Sequence, residues 1–300
     1  MEALRVIGVD VGGTKTLAAV VDRQGQIEEQ VVRPTDVSSQ DALLACLDAS
    51  VDELREGREI AALGFGIPSR VDQRTGRAVA SVNIPLADVD FRDRMRERHG
   101  IPVGLDNDAN AATIGEWKAG AAKGARNVVM LTLGTGVGGG LILDGKPFRG
   151  TTGVGAELGH IVIGIDGPPC GCGGHGHLES YAAGRVADAA ARRLYGESSD
   201  GHELVEKAKG GDADAVAAVA EIGRHLGAGI SSLVNIFEPE VVVIGGGFGS
   251  SSGDLLLGPA REVLAVEGLE PLRDTVRIVP AQLGFQAGVI GAAMVGFEAL

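Results

Sequence analysis

Two stretches of this chain carry one pattern. Arg5–Asp22 (RVIGVDVGGTKTLAAVVD) aligns without gaps with Asn127–Asp144 (NVVMLTLGTGVGGGLILD): apolar run faces apolar run, Gly12 faces Gly134, Asp22 faces Asp144, and Asp10 faces Thr132. A β-branched run stopped by glycines and then resumed reads as strand, Gly-rich turn, strand. A unit that opens each half of a 300-residue chain points to a duplicated architecture. A third apolar run, Val241–Ile244, ends in Gly245-Gly246-Gly247. The 48 glycines follow no collagen period and gather at the ends of apolar runs, where turns or close ligand approach need them.

The rest alternates. Gln40–Arg55 carries Leu44, Leu47, Val51 and Leu54 at helical spacing, with Cys46 as a partly buried core residue. Ile60–Ile67 and Val103–Leu105 read as strands, Val79–Pro85 as a loop holding Asn83, and Phe91–Arg98 as a charged amphipathic helix. A helix starts near Ala109 and carries Ile114 and Trp117. Arg185–Arg193 and Ala213–Phe237 are helical by pattern, and Phe285–Leu300 reads as a terminal helix packed through Val289, Ile290, Met294 and Phe297.

A net charge of −13 argues against nucleic acid or an anionic membrane as a general partner. The opening MEALRVIGVDVGG lacks the basic and apolar regions of a signal peptide, and no apolar run reaches transmembrane length. Three cysteines, two of them clustered beside histidines, are cytosolic usage rather than a disulfide framework.

Four segments carry chemistry. Asp10-Val-Gly12-Gly13-Thr14-Lys15 ends a strand in a turn whose amides can approach phosphate oxygens, with Asp10 placed to hold a hydrated Mg2+. Gly134-Thr135-Gly136 is the matching turn of the second half; each is an ordinary hairpin turn or, as a pair, a phosphate clamp. Gly134-x-Gly136-x-x-Gly139 satisfies a dinucleotide fingerprint, but Gly140–Asp144 continues as a strand where that site needs a helix. Asp106-Asn107-Asp108-Ala109-Asn110 stands where a strand hands over to a helix. One of its polar side chains caps the helix, and an Asp there can also accept a proton from an attacking hydroxyl. In Gly155–Glu179, the donors His160, Cys170, Cys172 and His177 suit a closed tetrahedral zinc site, with His175 as the other choice for the fourth ligand. Glu157 and Glu179 compete poorly for soft metal, so with His160 they remain to grip hydroxyls.

Together these motifs resemble the ROK family of bacterial sugar kinases and repressors, within the actin/hexokinase/Hsp70 superfamily. The match runs through D-x-G-G-T-K at Asp10–Lys15, N-D-A-N at Asn107–Asn110, L-G-T-G-x-G-G-G at Leu133–Gly140, G-A-E-L-G-H at Gly155–His160, C-G-C-G-G-x-G-x-x-E at Cys170–Glu179 and the glycines Gly245–Gly247. The resemblance implies an α/β fold of two ribonuclease-H-like (actin-like ATPase) domains flanking an active-site cleft: residues 1–115 plus 286–300, and residues 116–285 with the zinc motif. It implies ATP-dependent phosphorylation of a hexose at the 6-hydroxyl, glucose first, with Asp108 as general base. Mannose, fructose and N-acetylhexosamine kinases share these motifs, polyphosphate is an alternative donor, and a non-catalytic sugar sensor is the rival.

By the same resemblance Asn83, Asn107, Asp108, Glu157, His160 and Glu179 meet the sugar. Asp10, Gly12, Gly13, Thr14, Lys15, Gly134, Thr135, Gly136, Gly245, Gly246 and Gly247 meet the nucleotide. His160, Cys170, Cys172 and His177 hold structural Zn2+. The implied protein is a cytoplasmic homodimer or homotetramer. The family's repressors carry a DNA-binding segment ahead of the first strand, which here starts within a few residues. Two departures stand out: His177 replaces the usual third cysteine, and Ser69 follows Gly66-Ile67-Pro68 where glycine is common, altering the wall of the sugar pocket.

Overall fold

The computed structural model describes residues 4–81 and 83–300. Residues 1–3 of the opening segment and Val82 of the Val79–Pro85 stretch lie outside the described residues. The chain divides into two compact units, Met1–Gly124 with Pro147–Ala156 and Phe285–Leu300, and Ala125–Lys146 with Glu157–Gly284.

The first unit holds a five-stranded sheet of order β3-β2-β1-β4-β8. Its strands are β1 (Arg5–Val11), β2 (Lys15–Asp22), β3 (Ile27–Pro34), β4 (Ala62–Ile67) and β8 (Val103–Asn107). Strands β5 (Ser69–Asp72), β6 (Arg77–Ser81) and β7 (Ala87–Val89) form a small antiparallel sheet. The expected loop at Val79–Pro85 therefore starts inside a strand: β6 pairs Ser81 with Ser69 across the sheet. The strand expected from Ile60 starts at Ala62. Helices α1 (Gln40–Arg55) and α2 (Phe91–His99) cover one face, burying Leu43, Leu47, Phe65, Phe91 and Met95. Phe65 and Phe91 meet edge to face at 5.2 Å between ring centroids. Each such side chain contributes about 1.5–3 kcal/mol on burial.

The terminal helix, Ala287–Glu298, packs on β1, β4, β8 and α3 (Asp108–Ala119). It begins after a single 3-10 turn at Gly284–Gln286, two residues later than the expected Phe285, and ends at Glu298. Gly8, Gly64 and Gly104 are register partners on three adjacent strands, and a Cβ on any of them would overlap a carbonyl of that helix. This row of mid-strand glycines lets the helix backbone lie directly on the sheet. The same packing assigns α3 to the first unit, so the boundary expected at 115/116 falls at 124/125, and Pro147–Ala156 return to this unit as well.

The second unit repeats the plan. Its sheet has the order β11-β10-β9-β12-β13, from β9 (Val128–Leu133), β10 (Val137–Leu143), β11 (Lys146–Pro147), β12 (Val241–Gly245) and β13 (Arg277–Pro280). β9 and β10 pair antiparallel, as β1 and β2 do, and β12 runs parallel to β9 as β4 does to β1. The stretch after Gly136 is thus a strand, as the sequence reading required for rejecting a dinucleotide site. Helices α4 (Glu179–Ala182), α5 (Gly184–Tyr195), α6 (Gly201–Lys209), α7 (Ala213–Phe237), α8 (Gly247–Ser252), α9 (Asp254–Glu267) and α10 (Leu272–Thr275) complete it. Among the described residues no helix is long and apolar enough to cross a membrane.

Candidate active site

In the first unit the handover from β8 to α3 divides its polar residues by task. Asn107 is the cap: its Oδ1 accepts from the amides of Ala109 (2.9 Å) and Asn110 (3.3 Å), satisfying two of the helix's orphan donors. Its Nδ2 donates to the Ser69 carbonyl at 3.4 Å. Asp106 is fully buried and accepts from the Asn107 amide, from Asn110 Nδ2 and, at 2.6 Å, from Arg149 Nε. Its role is to brace the corner. Arg149 also reaches Glu298 at 2.8 Å, tying this corner to the terminal helix. Asp108 is the partly exposed carboxylate of the first helical turn, its Oδ1 accepting from the Ala109 amide at 2.9 Å.

Asp108 is near enough to act on Asp10. The Asp10 carboxyl is pushed up to about 7, chiefly because burial strips its water and then because Asp108 adds negative charge; Lys15 pulls the other way. Asp10, next to last in β1, lies beneath the start of the terminal helix, where a Cβ at Gly288 would overlap its carboxylate. The turn after it is anchored from below. Gly12 N–H donates to the Lys15 carbonyl, Thr35 hydroxyl donates to the Gly12 carbonyl, and Thr35 N–H donates to the Thr14 carbonyl. Gly13, Thr14 and Lys15 are exposed at the rim of a cavity of about 310 Å³ lined also by Asp10, Val32 and Phe285. Asn83 is exposed and lies against Gly13, so its place is beside this turn. Ser69 is buried, with its hydroxyl donating to the Ala80 carbonyl at 3.0 Å.

In the second unit Gly184 and Gly246 converge on the turn Gly134–Gly136. Gly134 N–H donates to the Gly136 carbonyl, and the Gly134 carbonyl accepts from Gly184 N–H at 2.7 Å. Gly246, with φ of +82°, lies against the Leu133 backbone just before that turn. Gly245 closes β12 and Gly247 opens α8, so the loop Gly245–Gly247 borders Gly134–Gly136.

Next to it lies the histidine–cysteine knot. Two isolated bridges, Val162 with His177 and Pro169 with His175, fold the segment back on itself. The ligand atoms of His160, Cys170, Cys172 and His177 all fall within 4.8 Å of one another. Cys170 Sγ is 3.7 Å from His160 Nδ1, and Cys172 Sγ is 3.2 Å from His177 Nδ1. Zinc–sulfur and zinc–nitrogen bonds of roughly 2.3 and 2.0 Å bring tetrahedral donors to about such separations. This donor set therefore fits zinc, and its fourth member is His177; His175 is exposed and outside the group. A Cβ at Gly174 would come within 2.6 Å of the His177 ring, so the glycine leaves room for that ligand.

Glu179 sits beside the knot, its side chain 15% exposed. Oε2 accepts from Val137 N–H at 3.0 Å, while Oε1 pairs with Arg185 at 3.0 Å and lies 3.6 Å from Cys170 Sγ. Glu157 is exposed at the start of the 3-10 turn Leu158–His160. Sequence reading missed Arg149 and Arg185. Each is a lone arginine whose partner is set by the fold, and nothing in the local pattern marks it.

The ROK family model matches residues 6–297. The chain belongs to the ROK family. It is 38% identical to the glucokinase of Streptomyces coelicolor, over 96% of each chain. Among solved structures, a ROK family glucokinase from Streptomyces griseus in complex with glucose and AMPPNP is 35% identical, with a TM-score of 0.85 over 98% of this chain and 99% of that one. The ROK hexokinase of Thermus thermophilus is 36% identical, with a TM-score of 0.86 over 98% of both. Within a ROK chain, the two glycine turns, the N-D-A-N corner and the histidine–cysteine knot each occupy a defined place in the repeated α/β units.

Proposed function

We propose that this protein is an ATP-dependent hexokinase that phosphorylates the 6-hydroxyl of glucose. The observation that carries the reading is the division of labour at Asp106–Asn110. Asn107 caps, Asp106 is spent on Arg149, and Asp108 stays a partly exposed carboxylate at a helix start. Similarity over nearly the whole chain to glucokinases supports it.

In this reading Asp108 takes the proton of the 6-hydroxyl as that oxygen bonds to the γ-phosphorus. The bond from γ-phosphorus to the bridging oxygen breaks, ADP leaves, and the proton passes from Asp108 to solvent. Asp10, Gly12, Gly13, Thr14, Lys15, Gly134, Thr135, Gly136, Gly245, Gly246 and Gly247 would meet the nucleotide. Asp10 would hold hydrated Mg2+, a fit supported by its strained proximity to Asp108, which a cation relieves. Magnesium supplies charge neutralisation on the phosphate oxygens. Asn83, Asn107, Glu157, His160 and Glu179 would bind sugar hydroxyls. His160, Cys170, Cys172 and His177 would hold zinc as a structural brace, leaving His160 Nε2 on the ring side away from Cys170. The same reading takes the protein as a cytoplasmic, glycolytic homodimer or homotetramer, its size to be read by light scattering.

The test is ADP release with Mg-ATP across glucose, mannose, fructose, N-acetylglucosamine and N-acetylmannosamine. Glucose is expected to give the highest kcat/KM. Another sugar leading the panel corrects the substrate, and silence on all five, repeated with polyphosphate, overturns the kinase.

A further inference from the structure

Glu179 has more partners than a sugar ligand requires. Its two oxygens reach the Val137 amide on one side and the Arg185 guanidinium on the other, each at 3.0 Å, with Cys170 Sγ at 3.6 Å. Val137 directly follows Gly136, where a Cβ would overlap Glu179 Oε2. The helix that carries Arg185 grips the same turn through its backbone. Gly184 N–H donates to the Gly134 carbonyl, and a Cβ at Gly184 would sit 2.6 Å from that oxygen. The corner Glu179–Arg185 thus holds the turn Gly134–Val137 by one side chain and one backbone bond.

We propose that Arg185 is a positioning residue that fixes the Glu179 carboxylate between the zinc knot and the Gly134–Val137 turn, so that sugar binding at Glu179 also orders the turn for nucleotide. The inference rests on the hexokinase reading above. A mostly buried carboxylate with one charged partner depends on it for orientation, and charge-assisted bonds are the stronger kind. The carboxylate keeps lone-pair capacity beyond its bonds to Val137, Arg185 and Cys170, so it can accept a sugar hydroxyl without releasing Val137. Substrate and loop then share one rigid group, and ordering paid on the first binding is not paid again on the second.

The experiment compares wild type, Arg185→Ala and Arg185→Lys by steady-state kinetics with glucose and by calorimetry of AMPPNP with and without glucose. In wild type glucose should tighten AMPPNP by about fivefold or more. Arg185→Ala should raise the glucose KM by about tenfold with kcat within roughly threefold, and should lose that tightening. Zinc content and Tm should stay unchanged, because the Arg185 side chain is 40% exposed. Arg185→Lys should recover most of the coupling, as the conservative cation. Unchanged KM and coupling in Arg185→Ala would overturn the proposal alone. Equal loss in both variants together with a lowered Tm would make Arg185 a structural residue and overturn it too. If Arg185→Ala does not fold, Arg185→Gln is read by the same criteria. A wild type silent on all five hexoses would overturn the hexokinase reading, and this inference with it.

Discussion

The two glycine hairpins share a plan and differ in what surrounds them. In the first, Asp10 is the next-to-last residue of β1, its carboxyl raised to about 7 by burial and by Asp108, and the turn is pinned from beneath by Thr35. In the second, Thr132 occupies the position of Asp10, and the turn is held by Glu179 and Gly184. One copy of the scaffold carries electrostatic tension, and the other carries tight hydrogen bonding next to the histidine–cysteine knot. Duplicated backbones therefore need not duplicate chemistry: the strand–turn–strand unit supplies exposed amides in both, and the residues grafted beside it divide the work.

Between the two hairpins, the larger effect should come from the side with the knot. Replacing Cys170 and Cys172 together with Ser should take zinc from about one per chain to none by elemental analysis. It should lower Tm and raise the glucose KM by about tenfold or more, since Glu179 touches Cys170. A wild-type protein that carries no zinc would break the comparison at its second half.

A smaller effect is expected at the first hairpin. Asp10 binds a proton in the folded state up to about pH 7 and in the unfolded state only to about its ordinary value of 3.8. Folding stability without Mg2+ should therefore fall as pH rises from about 4 to about 7, then level off. The fall should be on the order of 2 kcal/mol. Asp10→Asn should remove that slope, so its urea midpoint should exceed that of wild type at pH 8 and match it near pH 4. Parallel curves for the two proteins would show that Asp10 is under no such tension.

Much of this was legible in the chain. Alternation and glycine punctuation gave both hairpins, α1, α3 and α7, because those signals are local. Asp106–Asn110 was legible only as a set: Asp106 is paired by Arg149, a partner from a distant loop that the local pattern does not mark. The glycine row Gly8, Gly64 and Gly104 was hidden for the same reason. Each sits mid-strand, and its purpose appears only when the terminal helix is laid across three neighbouring strands. The sequence puts His177 first with His175 kept as the other choice, and the fold-back of the knot is what groups His177 with the other three donors.

The central claim is that Asp108 removes the proton of the attacking hydroxyl, and Asp108→Asn tests it most directly. ADP release with saturating Mg-ATP and glucose should fall by roughly 10²–10⁴-fold, while glucose affinity by calorimetry stays within about threefold. Turnover near the wild-type rate in a variant that still binds glucose would contradict the account.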